Sequence, residues 1–144
     1  MPYKEKGIVL DISAASDLNM LNEQPHALVL ILYQLVDAHA FNQMLSNSAT
    51  LEQMLDGNDF DRSVLTWQKL VIQPGEKQKF TLDRVAGVRH LGIVTNYFSQ
   101  NVTAISRLVT VAVAQENKRF FWTKIIPQTA ETKVQLVLGR LGIE

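Results

Sequence analysis

The chain has 144 residues, with 14 acidic and 14 basic side chains and a formal net charge of zero. Its longest basic cluster is Lys118-Arg119, so the electrostatic footprint that nucleic acid demands is missing. It contains no cysteine, which excludes disulfides, thiolate nucleophiles and Cys-ligated zinc and leaves the redox compartment open.

With 47% hydrophobic and 19% charged residues the composition is that of a globular protein. The length fits one domain, residues 1–144, which removes roughly 70% of its unfolded surface from water. The stretch MPYKEKGIVLDIS has no apolar run followed by a small-residue cleavage site, so no export signal is expected within it.

Ile8, Leu10 and Ile12 alternate with Val9, Asp11 and Ser13, the period-two signature of a strand with one face inward. The polar stretch that follows, SAASDLNMLNEQPH, reads as a long connection. ALVLILYQLV, Ala27 to Val36, is apolar at both alternating sets of positions, which predicts a central strand covered on both faces. Ten residues are too few for a helical membrane crossing, which takes about 20.

Phe41, Met44 and Leu45 fall at helical spacing after Asp37, a candidate cap. Thr50 and Gln53 have the spacing of a capping box for a second helix, and Asp56-Gly57 would end it. Strand patterns resume at TWQKLVIQ and KQKFTLD, around Gln73-Pro74-Gly75-Glu76. Pro-Gly suits a type II turn, which splays its flanking strands, so a tight hairpin is not expected there. Further strands are predicted around His90 to Phe98, Ile105 to Ala114, Arg119 to Ile126 and Lys133 to Leu138, with Asn117-Lys118 as a short loop. The expected architecture is all-β with a small helical insertion, a two-sheet β-sandwich of about eight strands with helices at about 38–56, between the second and third.

Little here points to catalysis. His26, His39 and His90 show no metal-ligand spacing, and DGNDFD, with Asp56, Asp59 and Asp61, lacks the register of an EF-hand. There is no nucleophile elbow, phosphate-cradling loop or dinucleotide fingerprint. Gly87 and Gly92 read as turn and strand-packing positions. Alternation through Phe120, Phe121 and Trp122 sends part of that run into a core. No cofactor and no enzymatic activity are expected.

Several stretches recur in a familiar order: DLN at Asp17 to Asn19, Pro25, LVLILYQL at Leu28 to Leu35, Phe41, PGE at Pro74 to Glu76 and LGIVTNY at Leu91 to Tyr97. Together they resemble the TssJ family, the outer-membrane lipoproteins of the bacterial type VI secretion system. The similarity spans roughly Ile8 to Val113. It implies a transthyretin-like sandwich at the periplasmic face of the outer membrane, held there by an N-terminal lipid. It also implies a partner, the C-terminal periplasmic domain of the inner-membrane protein TssM, bound mainly by the loop between the first two strands.

In this chain that loop is Ala14 to Gln24, and the expected contacts are Asp17, Leu18, Asn19, Met20, Leu21 and Asn22. Leu18, Met20 and Leu21 are apolar on a connection expected to be exposed, which suits a binding surface. The alternative is that they fold back onto the sandwich. Departures from the family pattern are the missing anchor cysteine, Met44 and Leu45 in place of paired phenylalanines, and Ser106-Arg107 in place of Trp-Arg. A rival from another class is a periplasmic or extracellular sandwich that binds carbohydrate or a small ligand through Trp67 or Trp122, with calcium in the DGNDFD loop.

Overall fold

The computed structural model describes residues 3–56, 61–98, 101–111 and 131–144. The N-terminal alternation becomes β1, Lys4–Ala14. Ile8, Leu10 and Ile12 are buried and Asp11 faces solvent, as period two requires of a strand with one wet face. The run of both-face apolar residues becomes β2, Leu28–Leu35. Leu28, Leu30 and Leu32 enter a core between two sheets, while Ile31, Tyr33 and Leu35 enter a second core on the opposite face.

That second core is roofed by two short helices, α1 (His39–Leu45) and α2 (Ser48–Leu55). Phe41, Leu45 and Met54 bury themselves there against Ile31, Tyr33 and Val94. The Tyr33 hydroxyl donates to the Met54 carbonyl at 2.5 Å, fastening the insertion to the sheet. Burying Phe41 completely contributes about 2–3 kcal/mol. The caps differ from expectation. Asp37 accepts from the His39 N–H at 2.7 Å although the cap position itself is Ala38. The cap of α2 is Asn47, which accepts from Ala49 N–H at 2.9 Å, and Thr50 lies inside the helix. Asp56 closes α2; Gly57 lies outside the described residues.

The next strands are β3 (Val64–Ile72) and β4 (Lys77–Arg84). The turn between them is closed by Glu76 N–H donating to Gln73 at 3.1 Å, with Gly75 at φ +76°, the left-handed geometry a type II turn needs at its third position. The two strands diverge into different sheets, as the splay of that turn anticipates. β5 (His90–Thr95) ends sooner than expected, and a four-residue helix, α3 (Val102–Ile105), takes the place of the first residue of the next predicted strand. β6 is Ser106–Thr110 and β7 is Thr132–Leu138. The strand expected at Arg119 to Ile126 and the Asn117-Lys118 loop lie outside the described residues.

The sheets are ordered β3-β2-β5-β6 and β4-β1-β7. β1 pairs with β7 in parallel, from Ile8 opposite Thr132 to Ala14 opposite Leu138; the other pairings are antiparallel. The two layers are also bracketed by a polar side chain. Gln34 on β2 donates to the Asp83 carbonyl and accepts from the Val85 N–H, both at 2.9 Å. A buried amide is stable only when both ends are satisfied, and here the end of the opposite sheet satisfies them. At the start of β1, Asp83 accepts from the Lys6 N–H at 2.9 Å and the Tyr3 hydroxyl at 3.0 Å. These bonds, the Lys6 amide foremost, hold its carboxyl below the usual carboxylate range. Arg84 is wholly buried next to Gly7, and burial pulls its pKa down.

Candidate functional site

The connection between β1 and β2 is an ordered object. It leaves β1 through a turn closed by Leu18 N–H on the Ala15 carbonyl at 3.1 Å. That turn drops Leu18 into the core between the sheets, fully buried. Asn19 follows with φ +48°, a conformation asparagine tolerates better than most residues. Its side chain is 3% exposed and satisfied at both ends: Nδ2 donates to Ala27 O at 3.2 Å and Oδ1 accepts from Phe98 N–H at 3.1 Å. His26 N–H returns to the Leu18 carbonyl at 2.9 Å, and its ring meets Phe98 edge-on with centroids 5.2 Å apart.

Beyond this base stands a narrow tip. Leu21 and Gln24 exchange both backbone hydrogen bonds, at 3.0 and 3.1 Å. Asn22 and Glu23 between them have φ +52° and +64°, the pair of left-handed residues that defines a type I′ hairpin turn. The tip is a closed two-residue turn, and it holds Leu21 out at 39% exposure.

Of the six residues expected to contact a partner, the structure exposes Leu21 and Asn22 and leaves Asp17 and Met20 half-buried. Leu18 and Asn19 depart from the expectation of exposure. The first is core, because the 15–18 turn points it inward, and the second is an internal polar brace, because three backbone segments converge on it. Two neighbouring segments, not singled out from the sequence, complete the surface. Phe98, half exposed, is tied to Asn19. The turn after β7 is tied to the loop by Met20 N–H on the Arg140 carbonyl at 3.0 Å, and its Leu141 is 64% exposed. A hydrophobic residue between two glycines near the chain end, Gly139-Arg140-Leu141-Gly142, is the signal that marks this second turn.

The other candidate residues are not brought together. Asp61 accepts from Ser63 N–H at 2.9 Å, which lowers its pKa and occupies that carboxylate; Asp59 lies outside the described residues. Among the described residues no three His, Asp or Glu side chains are grouped to hold a metal ion. Trp67 stands on edge strand β3, 36% exposed, beside an open cavity of about 380 Å³ between the edges of the two sheets. Trp122 lies outside the described residues. Gly87, at φ +90°, occupies a turn. Gly92 lies under Phe41, where a Cβ would come within 2.6 Å of the ring.

Two sheets, helices over one of them, and braced loops gathered at one end define a helix-capped β-sandwich, an architecture whose end loops carry recognition. Residues 6–139 match the T6SS-SciN family model, described as type VI secretion lipoprotein, VasD, EvfM, TssJ, VC_A0113. The chain belongs to this family of type VI secretion lipoproteins.

Its fold is that of the T6SS lipoprotein TssJ1 from Pseudomonas aeruginosa, with a TM-score of 0.66 at 19% identity over 99% of this chain and 93% of that one. Serratia marcescens Lip, a membrane-bound component of the type VI secretion system, gives 0.67 at 17% identity over 95% of this chain and 94% of that one. A chain in the structure described as the TssM C-terminal domain from EAEC also gives 0.67, at 14% identity over 95% of this chain and 94% of that one. A sequence comparison with curated proteins gives no match. Among the described residues no helix is long and apolar enough to cross a membrane.

Proposed function

We propose that this chain is a non-catalytic structural subunit of the type VI secretion envelope complex, one sandwich domain that ties the inner-membrane protein TssM to the outer membrane. In this reading it sits on the periplasmic face of the outer membrane, held by an N-terminal lipid. None of the 144 residues is a cysteine that could carry that lipid. One acyl chain gives only marginal, reversible membrane binding, so several chains and the rest of the assembly share the load.

The observation that carries the proposal is the braced tip at Leu21–Gln24. An apolar side chain held out on a hydrogen-bonded turn loses less entropy on binding than one on a free loop. The contacts are Leu21 and Asn22 at the tip with Asp17 and Met20 at its flanks, while Leu18 and Asn19 support them from inside. The fold shared with a chain of a structure described as the TssM C-terminal domain supports the choice of partner.

The test is a calorimetric titration of the purified chain with the periplasmic C-terminal domain of the cognate TssM. Saturable binding is expected, and it should be lost when Leu21–Gln24 is replaced by Gly and Ser. Absence of binding, or binding indifferent to that replacement, contradicts the proposal.

A further inference from the structure

The chain after β7 makes a turn as well braced as the tip of the β1–β2 loop. Gly139 N–H donates to the Gly142 carbonyl at 2.9 Å, and Leu138 bridges to Ile143. The base is clamped from three further sides. Ile143 N–H donates to Ala104 O at 2.7 Å, the Arg107 guanidinium donates to Ile143 O at 2.9 Å, and the Tyr97 hydroxyl donates to Gly139 O at 3.1 Å. Gly142 is required by proximity, and Gly139 leaves room for the Glu144 side chain. A Cβ on Gly142 would sit 2.7 Å from the Ala104 Cβ, and one on Gly139 would run into the Glu144 side chain.

All this fixes a turn whose apex is Arg140 and Leu141, both exposed. Leu141 is the most exposed large hydrophobic side chain among the described residues. The same turn accepts the Met20 N–H, so its apex is locked one residue away from the exposed Leu21.

We propose that the Gly139–Gly142 turn is the second half of the docking surface, and that Leu141 and Leu21 enter one apolar depression on the partner domain. This rests on the docking role proposed above for the β1–β2 loop. The chemistry that fits is a hydrophobic recess with a carboxylate on the side facing Arg140, because an exposed guanidinium at the rim steers and orients an acidic group. Leu141 is held largely outside the core on a clamped turn, where its side chain can meet a partner. Where two such residues are held in fixed relation, they present a two-point apolar contact, the arrangement from which interface hot spots are built.

The experiment measures affinity of the full chain for the TssM periplasmic C-terminal domain in four forms: wild type, Leu21→Ala, Leu141→Ala and the double variant. Leu108→Ala, at an exposed strand position elsewhere, serves as control, and thermal melts confirm that each variant is folded. The expected result is that Leu141→Ala weakens binding about 10-fold, that Leu21→Ala does likewise, and that the two effects are not additive. If Leu141→Ala binds like wild type while Leu21→Ala is weakened, the turn has no part in docking and the loop's role stands. If wild type does not bind, the docking role itself fails and the turn's with it.

Discussion

The side-chain oxygen of Asn19 accepts the Phe98 N–H at 3.1 Å while its amide donates to Ala27 O at 3.2 Å. One buried residue thereby joins the segment after β1, the entry to β2 and the exit from β5. Because Asn19 also sits at φ +48°, the base of the loop depends on it twice, through its hydrogen bonds and through its backbone.

Substitution separates the two contributions. Asn19→Ala leaves a buried donor and acceptor unsatisfied and adds left-handed strain, a loss of about 3 kcal/mol. Asn19→Gly keeps the backbone relaxed, so its loss should be smaller by about 1 kcal/mol. Urea denaturation of the three proteins measures both. Equal losses would mean that the strain is no larger than the extra unfolded-state entropy of glycine.

Gly92 and Phe41 form a second pair that can be tested. A methyl group on residue 92 would lie 2.6 Å from the Phe41 ring, and overpacking of this kind costs about 1–3 kcal/mol. Gly92→Ala should therefore be destabilised, and Phe41→Leu in the same chain should recover part of the loss by vacating the space. The recovery is read as a coupling term in a double-mutant cycle of chemical denaturation. Strict additivity would show that the ring and the glycine do not meet.

A pH effect follows from Tyr97. Burial first, and the Glu144 charge second, raise its pKa above the ordinary 10.0. Above about pH 10 the unfolded chain loses this proton while the folded chain keeps it, so stability is complete below that pH and declines as pH rises. In Tyr97→Phe the alkaline decline of the unfolding midpoint should be shallower than in wild type. An identical decline would remove Tyr97 as its source.

Much of the sandwich is legible in the residues. The doubly apolar Leu28–Leu35 run is central because one face meets the other sheet and the other meets the helices, and the Pro74-Gly75 turn divides its two strands between sheets. What fails to show is orientation without periodicity. Nothing in SAASDLNMLNEQ distinguishes Leu18, which is core, from Leu21, which is exposed, because a loop has no repeating face. The cap of α2 escapes the spacing rule for a related reason. Thr50 and Gln53 have the right spacing by coincidence, whereas Asn47 has the stronger chemistry and takes the position. The α3 helix is too short to impose a period, and the pairing of β1 with β7 joins segments more than a hundred residues apart. The second turn, Gly139–Gly142, has meaning only once the fold sets it beside Met20.

The most direct test of the docking account is a residue-level map of the contact. Isotope-labelled protein would be titrated with the unlabelled TssM periplasmic C-terminal domain and followed by amide chemical shifts. The account predicts that the large shifts cluster at Met20–Gln24, Phe98 and Arg140–Leu141, with the exposed strand β3 undisturbed. Shifts centred on Leu65–Val71, or no shifts at a saturating amount of the domain, would contradict it.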